Sequence, residues 1–381
     1  MKSFNSWATA AALLVLALMA IKSTVMIYQN NGQPEIPNTW EGNVFHGAQV
    51  YFDQGITSNS GLPIYPMDHD TPIQKLRETR VYTHFLPGDS YLIWAMSLMT
   101  RSTEVVFKYG RFVPLILTLF LMWIFSQTST ELLFPRWRWA QPAFLAVMAI
   151  APNFYKWSIS LSGVGFSSVC VMLAMLLPIR FKYSPKILLA AFVLGFVSMY
   201  LLMTQIFVLC FAPIIAWLLS PQKEKFQNTF KISIAIGLGI TTAYILHFFQ
   251  VASFLESWAL AWQDQMGTFF ARGDSRQGIS RLELIAQYSG HVRSFFRVSV
   301  LQMLITGLPL IALTPELKSR RLQLLGALLL STLACYIFPT LMRHTALMHW
   351  HVFPHIFMML YAVWVFVILN FISQKWMRRH S

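Results

Sequence analysis

A chain of 381 residues that is 56% hydrophobic and 12% charged, with a positive mean hydropathy, does not describe a soluble domain. Its formal net charge of +14 would suit nucleic-acid binding if it were gathered on one soluble face, but the basic residues sit in short segments between apolar runs, and that class is set aside. Three cysteines without paired spacing offer neither a disulfide framework nor a zinc site.

In chain order, ten apolar stretches reach or approach the length a helix needs to cross about 30 Å of hydrocarbon. They cover residues 6–28, 105–127, 139–157, 161–179, 187–203, 204–219, 230–253, 296–314, 323–341 and 353–373. The first follows Lys2 and is long, with no small-x-small cleavage site behind it, so a retained anchor is expected rather than a signal peptide. Residues 89–101, DSYLIWAMSLMTR, are short for a crossing. They are expected as an interfacial helix with Tyr91, Leu92, Trp94, Ala95, Leu98 and Met99 toward lipid or protein. Cys170, Cys210 and Cys335 fall inside spans as small packing residues. The expected fold class is all-α: a polytopic integral membrane protein of about ten transmembrane helices, one domain over residues 1–381. Two large extracytoplasmic loops interrupt it, 29–104 with short interfacial helices and 254–295.

The charges sort by side. All fifteen acidic residues fall between the spans. Counted from a cytoplasmic N-terminus, the basic segments Arg136 to Arg138, Arg180 to Lys186, Lys223 to Lys231, Lys318 to Arg321 and Lys375 to Arg379 alternate with acid-bearing loops, as the positive-inside rule requires. Glu131, Glu224 and Glu316 are then the inner acids and twelve lie outside. Fifteen Lys and Arg lie inside and thirteen outside, with Lys22 in the first span, so the basic excess is topological. Both termini are expected in the cytoplasm, and a bacterial inner membrane is the expected home.

The inner loops are short, basic and without a Gly-rich phosphate loop, so substrate is expected from the outer side or from the lipid. In the first outer loop Val44, Phe45, Ala48, Tyr51 and Phe52 recur at helical spacing, predicting a helix from about Glu41 to Gly55 with His46 and Asp53 on its polar side. Glu41 fits a capping box with Asn38, and it equally fits an outward catalytic carboxylate; spacing leaves both open. In the second loop Trp258, Trp262, Gln263, Asp264 and Gln265 are residue types that bind sugars and also anchor helices at membrane interfaces. The run Arg272-Gly-Asp-Ser-Arg-Gln-Gly278 is expected as a mobile loop. His344, His349, His351 and His355 do not have zinc-site spacing and read as interfacial packing or hydrogen-bonding residues.

The first loop closes with Tyr82-Thr-His84-Phe-Leu-Pro87-Gly88-Asp89-Ser-Tyr91, followed by the interfacial stretch, by Arg111 near the opening of a span, and by Ala149-Ile-Ala-Pro152-Asn-Phe-Tyr155 between two spans. In this order of features residues 1–220 resemble the GT-C superfamily of membrane glycosyltransferases, of the protein mannosyltransferase and aminoarabinose transferase type. In that family an acid after the first span leads a helix, a His-x-Pro-Pro segment precedes an apolar interfacial stretch, and an Arg opens the next span. Here Trp40 stands before Glu41 where the family often has Asp, and Leu86 stands at the first proline of the pair.

The resemblance implies sugar transfer from a polyprenyl-phosphate donor to a lipid, glycan or protein acceptor at the extracytoplasmic face. It makes Glu41 the candidate base, with Asp53 in reserve and His84 the motif histidine. Arg80, Asp89, Arg111, Lys156, Arg343 and His344 become candidate contacts for substrate or departing phosphate, since cations there can steady phosphate oxygens as well as lipid headgroups. Some relatives use a divalent ion, for which Glu41 with Asp89 or Asp264 would supply carboxylates; the sequence leaves the metal open. A lipid-linked glycan ligase or polymerase is the near alternative, and a lipid flippase or transporter the rival class. A transporter usually carries ionisable or helix-breaking features at the bilayer midplane and internal repeats. This chain keeps nearly all its charges in the loops or near the ends of the spans, Lys22 excepted, and has no evident repeat.

Overall fold

The computed structural model describes residues 2–29, 40–65, 73–84, 86–133, 137, 139–150, 158–161, 163–201, 206–220, 225–273, 280–341 and 354–380. Among them the chain is helical, with no β-strand and one isolated antiparallel bridge between Ile64 and Val81. Helix α1 spans Lys2–Gln29. The segment after it folds as α2 (Trp40–Gln54), a 3-10 turn at Ser58–Gly61, α3 (Gln74–Thr79), α4 (Gly88–Thr100) and α5 (Thr103–Tyr109). Helix α4 stops where Arg101 adopts a left-handed conformation, and Ser102 starts α5 by accepting a hydrogen bond from the Val105 amide at 3.2 Å, the usual work of an N-cap serine.

The remaining elements are α6 (Phe112–Leu133), α7 (Ala140–Ile150), α8 (Gly163–Arg180), α9 (Pro185–Leu201), α10 (Ile206–Leu209) and α11 (Ala212–Leu219). They continue with α12 (Phe226–Leu255), α13 (Trp258–Gly273), α14 (Arg281–Phe296), α15 (Val300–Leu313), α16 (Arg321–Leu341) and α17 (Pro354–His380). Helices α1, α6 and α12 are long and apolar enough to cross a membrane, and α7, α8, α9, α15, α16 and α17 carry shorter apolar stretches. Their outer faces expose Leu14, Leu18 and Ile21 of α1, Ile116 and Phe120 of α6, and Leu238, Ile245 and Phe249 of α12. Apolar surface on this scale is stable against hydrocarbon rather than water.

Three sequence boundaries shift. Residues 105–109 belong to α5, and the helix expected from 105 begins at Phe112, after a turn at Gly110 and Arg111. The stretch expected over 204–219 is broken at Cys210 and Phe211, with Pro213 in the first turn of α11, where its missing N–H costs nothing. The loop over 254–295 contains two helices of 16 residues each, α13 and α14. The second is fixed by a capping box between Ser280 and Glu283.

With lipid outside, helices associate through close packing rather than hydrophobic drive. Helices α9 and α12 meet backbone to backbone: a Cβ at Gly195 would lie 2.1 Å from the Ile236 carbonyl oxygen, and one at Gly239 would lie 2.0 Å from that of Phe192. The main core stacks Phe144 on Phe366 with ring centroids 4.9 Å apart.

The described residues between 40 and 109 cover the end of the bundle at which α12 stops. Val44, Ala48, Ile93, Val106 and Leu161 form one satellite cluster, and Leu62, Ile73, Leu76 and Val81 form another with Val251, Ala252 and Leu255 of α12 and Ala261 of α13. Lys75 donates to the Phe254 carbonyl at 2.6 Å and pairs with Glu256 at 3.3 Å. At the opposite end the Arg320 guanidinium donates to the carbonyls of Leu219 and, at 3.3 Å, Ser220. The described parts of the two acid-bearing segments therefore share one end of the bundle.

Candidate functional site

The site is built on a short antiparallel contact. The Tyr65 amide donates to the Arg80 carbonyl at 3.1 Å and the Tyr82 amide to the Pro63 carbonyl at 2.8 Å, which pins Thr83 and His84 over α12 and α13. Tyr65 and Tyr82 stack at 4.7 Å, and the His84 ring lies 5.3 Å from Tyr82. Immediately after, Gly88 brings the N-terminus of α4 onto the C-terminus of α9. A Cβ there would fall 2.5 Å from the Tyr200 carbonyl carbon and oxygen, so the Pro87-Gly88 pair has a packing reason.

Two polar hubs follow. The first is the Gly61 carbonyl, which accepts from the Tyr51 hydroxyl at 2.8 Å and the Tyr91 hydroxyl at 2.5 Å. Gln250 Nε2 donates to the Tyr91 oxygen at 2.9 Å, and the Tyr200 hydroxyl reaches Gln250 Oε1 at 3.4 Å. Gly61 sits at φ 77°, in the left-handed region that glycine enters without a Cβ penalty. The second hub is Asp264, buried on α13. Its Oδ2 accepts from the Thr83 hydroxyl at 2.6 Å and from Gln265 Nε2 at 3.1 Å, and its Oδ1 lies 3.5 Å from His84 Nε2. The Thr83 carbonyl accepts from His247 Nε2 at 2.8 Å and Gln265 Nε2 at 3.0 Å. Because a carbonyl only accepts, His247 carries its proton on Nε2. His247 and Gln250, one turn apart on α12, join the hubs.

The electrostatics follow the burial. Burial alone would raise the Asp264 carboxyl, but the pairing with His84 and the donors Thr83 and Gln265 outweigh it and hold the carboxyl below its ordinary value. Burial raises the Tyr51 and Tyr65 phenols far above their usual range, helped by neighbouring tyrosines and by the charge of Asp89, so both are neutral hydroxyls at physiological pH.

The expected residues fall into distinct places. His84 is half-buried in the second hub. Asp89 is buried in the first turn of α4, where one oxygen accepts the Ser90 amide at 3.0 Å. Arg111 is buried at the turn before α6, with Nη1 3.5 Å from the Ile159 carbonyl. Asp53 is exposed near the far end of α2, both oxygens taking Gln49 Nε2 at 2.9 Å, and Arg80 is exposed in a left-handed turn. Glu41 stands in the first turn of α2. Lys156, Arg343 and His344 lie outside the described residues, as do Asn38, His349, His351 and the stretch 274–279. Among the described residues no group of three or more His, Cys, Asp or Glu could hold a metal ion, and both oxygens of Asp264 face protein partners.

Thr83, His247, Gln250, Gln265 and the tyrosines 51, 91 and 200 carry the network, and of these the sequence offers only Gln265 as a binding residue, among the sugar-binding types of the second loop. His247 and Gln250 had a readable signal: two hydrogen-bonding side chains three residues apart in an apolar span need partners inside the protein.

Helix α13 turns Asp264 and Gln265 inward and leaves Trp258, Trp262 and Phe270 exposed, the reverse of a soluble amphipathic helix and the form of one lying at a lipid headgroup layer. The main core gathers Met122, Met148, Met172, Met175, Met358 and Met359, unbranched side chains that adapt to irregular apolar shapes. Comparison of the chain with protein-family models, with curated proteins and with solved structures yields no match.

Proposed function

We propose that this protein is a GT-C-like glycosyltransferase of about ten transmembrane helices in a bacterial cytoplasmic membrane, with both termini inside. It would move a sugar from a polyprenyl-phosphate donor to a lipid, glycan or protein acceptor on the extracytoplasmic side. The observation that carries the reading is the convergence of the two acid-bearing segments on a buried polar network at one end of an apolar bundle, beside a helix with its aromatic face outward. A donor whose isoprenoid lies in the bilayer presents its phosphate and sugar at that depth. An ATP-dependent enzyme would need such a site on the basic, short-looped side instead.

In the transfer the acceptor hydroxyl attacks the anomeric carbon while the lipid phosphate departs, so a base must take the hydroxyl proton and donors must steady the phosphate. Glu41, with Asp53 in reserve, and His84 are the groups of this chain suited to the first task. Arg80, Asp89, Arg111, Lys156, Arg343 and His344 are the proposed contacts to donor and acceptor. A ligase or polymerase of lipid-linked glycans would use the same arrangement with a longer donor.

The test is the lipid fraction of cells with and without the protein. A polyprenyl-phosphate sugar should accumulate in its absence and be consumed when the wild-type chain is restored. Glu41→Gln should insert normally and leave that lipid unconsumed. An unchanged lipid pool in the deletion strain would remove the reading, while full activity of Glu41→Gln would remove only Glu41 from it.

A further inference from the structure

The contact between His84 and Asp264 has the form of an oriented imidazole. Asp264 is fixed by Thr83 and Gln265 on one oxygen, which leaves the other to face His84 Nε2 at 3.5 Å. A carboxylate only accepts, so it selects the ring tautomer with the proton on Nε2 and the lone pair on Nδ1. Tyr82, 5.3 Å from the ring, and Tyr65 stacked behind Tyr82 limit rotation of the imidazole from a second direction. The His84 side chain keeps 17% of its surface exposed, whereas Asp264 keeps 1%. Such pairs tighten when substrate is bound, so 3.5 Å without one is a compatible starting distance.

We propose that, of the groups suited to take the acceptor proton, His84 is the catalytic base of the transfer and Asp264 its positioning residue, which leaves Glu41 to hold donor or acceptor rather than to take the proton. The inference rests on the glycosyl-transfer reading and assigns the proton within it. As the acceptor oxygen bonds to the anomeric carbon, its proton passes to His84 Nδ1. The bond from that carbon to the phosphate oxygen breaks, and its electron pair leaves with the lipid phosphate. Asp264 then faces an imidazolium and stabilises it, and the proton is returned to solvent after product leaves. Among the described residues, the charged or titratable groups facing His84 include Asp264 from α13, His247 from α12, and Tyr82 from its own segment.

The experiment uses the full-length protein in lipid nanodiscs with a panel of synthetic polyprenyl-phosphate hexoses and pentoses as donors, and reads released polyprenyl phosphate. Expected for His84→Gln is a fall in kcat of about 100-fold or more. Expected for Asp264→Asn is a fall of about 10- to 100-fold with KM little changed and the acidic limb of the pH profile displaced. Thermal unfolding of each variant separates lost folding from lost turnover. Nitrogen-15 histidine NMR reads the pair without turnover: His84, assigned by its absence in His84→Gln, should be the Nε2–H tautomer in the wild type and a mixture in Asp264→Asn. Wild-type kcat and pH profile in Asp264→Asn, or a mixed tautomer in the wild type, would overturn the assignment. A wild-type protein inactive on every donor, with the Nε2–H tautomer intact, would instead overturn the glycosyl-transfer reading and leave the oriented pair standing.

Discussion

Thr83 and Asp264, 181 residues apart in the chain, meet through a buried 2.6 Å hydrogen bond that makes the two acid-bearing segments one structure. The bond is charge-assisted, and Thr83 also offers its carbonyl to His247 and Gln265, so a single residue ties the first segment to α12 and α13. Thr83→Val keeps the shape and removes one donor from a buried carboxylate. It should destabilise the protein by about 1–3 kcal/mol, while Thr83→Ser should recover most of the loss. Thermal unfolding in detergent or nanodiscs decides it, and an unshifted midpoint in Thr83→Val would show that Gln265 and His84 satisfy the carboxylate without the hydroxyl.

The pH dependence of that contribution has a definite sign. Asp264 is held below its ordinary carboxyl value of 3.8, so its stabilisation is present above that value and is lost as the pH falls through the lower folded value. Asp264→Asn should therefore be less stable than the wild type at pH 7, and the gap should narrow on acidification below about 4. Unfolding midpoints at stepped pH test this. A gap that stays constant to pH 3 would mean the residue acts through shape and not charge.

The interface of α9 and α12 offers a paired test on one helix. Gly239→Ala drives a Cβ to 2.0 Å from the Phe192 carbonyl oxygen, backbone against backbone, whereas at Gly237 the nearest atom to a new Cβ is Cys210 Sγ at 3.9 Å. Helix propensity favours alanine equally at both positions, by about 1 kcal/mol. Gly239→Ala should lose about 3 kcal/mol or more and reduce the yield of folded protein, while Gly237→Ala should be neutral or stabilising. Equal behaviour of the two would mean that the helices are not packed as described.

The helices were legible in the sequence because a membrane helix must be apolar along its length, which a composition reading catches; α1 and α12 fall within four residues of their expected runs at each end, while α6 begins seven residues later than expected. The breaks before Phe112 and at Cys210 were not legible, since a turn at Gly110 or Phe211 leaves hydropathy unchanged. Helix α13 was hidden because its polar residues face inward and its tryptophans outward, and both suit a loop when only composition is read. For the site, His84 was found through a local motif, but its partner Asp264 is set by a tertiary approach that no spacing encodes. Gln250 and Tyr91 were missed for the same reason: an amide and a phenol become meaningful once the Gly61 carbonyl lies between the helices that carry them.

The packing fixes which exposed positions must fall on the same side of the membrane. Asp53 on α2 and Glu256 at the end of α12 are exposed at the end of the bundle that holds the polar network, and Lys225 is exposed at the start of α12, 30 helical residues away. At 1.5 Å per residue that is about 45 Å, more than the hydrocarbon thickness. Native Cys170 and Cys335 are buried and Cys210 is half-buried, so they can be replaced by alanine to give a clean background. In intact cells a membrane-impermeant maleimide should label Asp53→Cys and Glu256→Cys and should reach Lys225→Cys only after permeabilisation. Labelling of Lys225→Cys alone would invert the protein and place the network in the cytoplasm, ending the case for a lipid-linked donor. Labelling that divided Asp53→Cys from Glu256→Cys would break the contact between the two acid-bearing segments on which Thr83 and Asp264 depend.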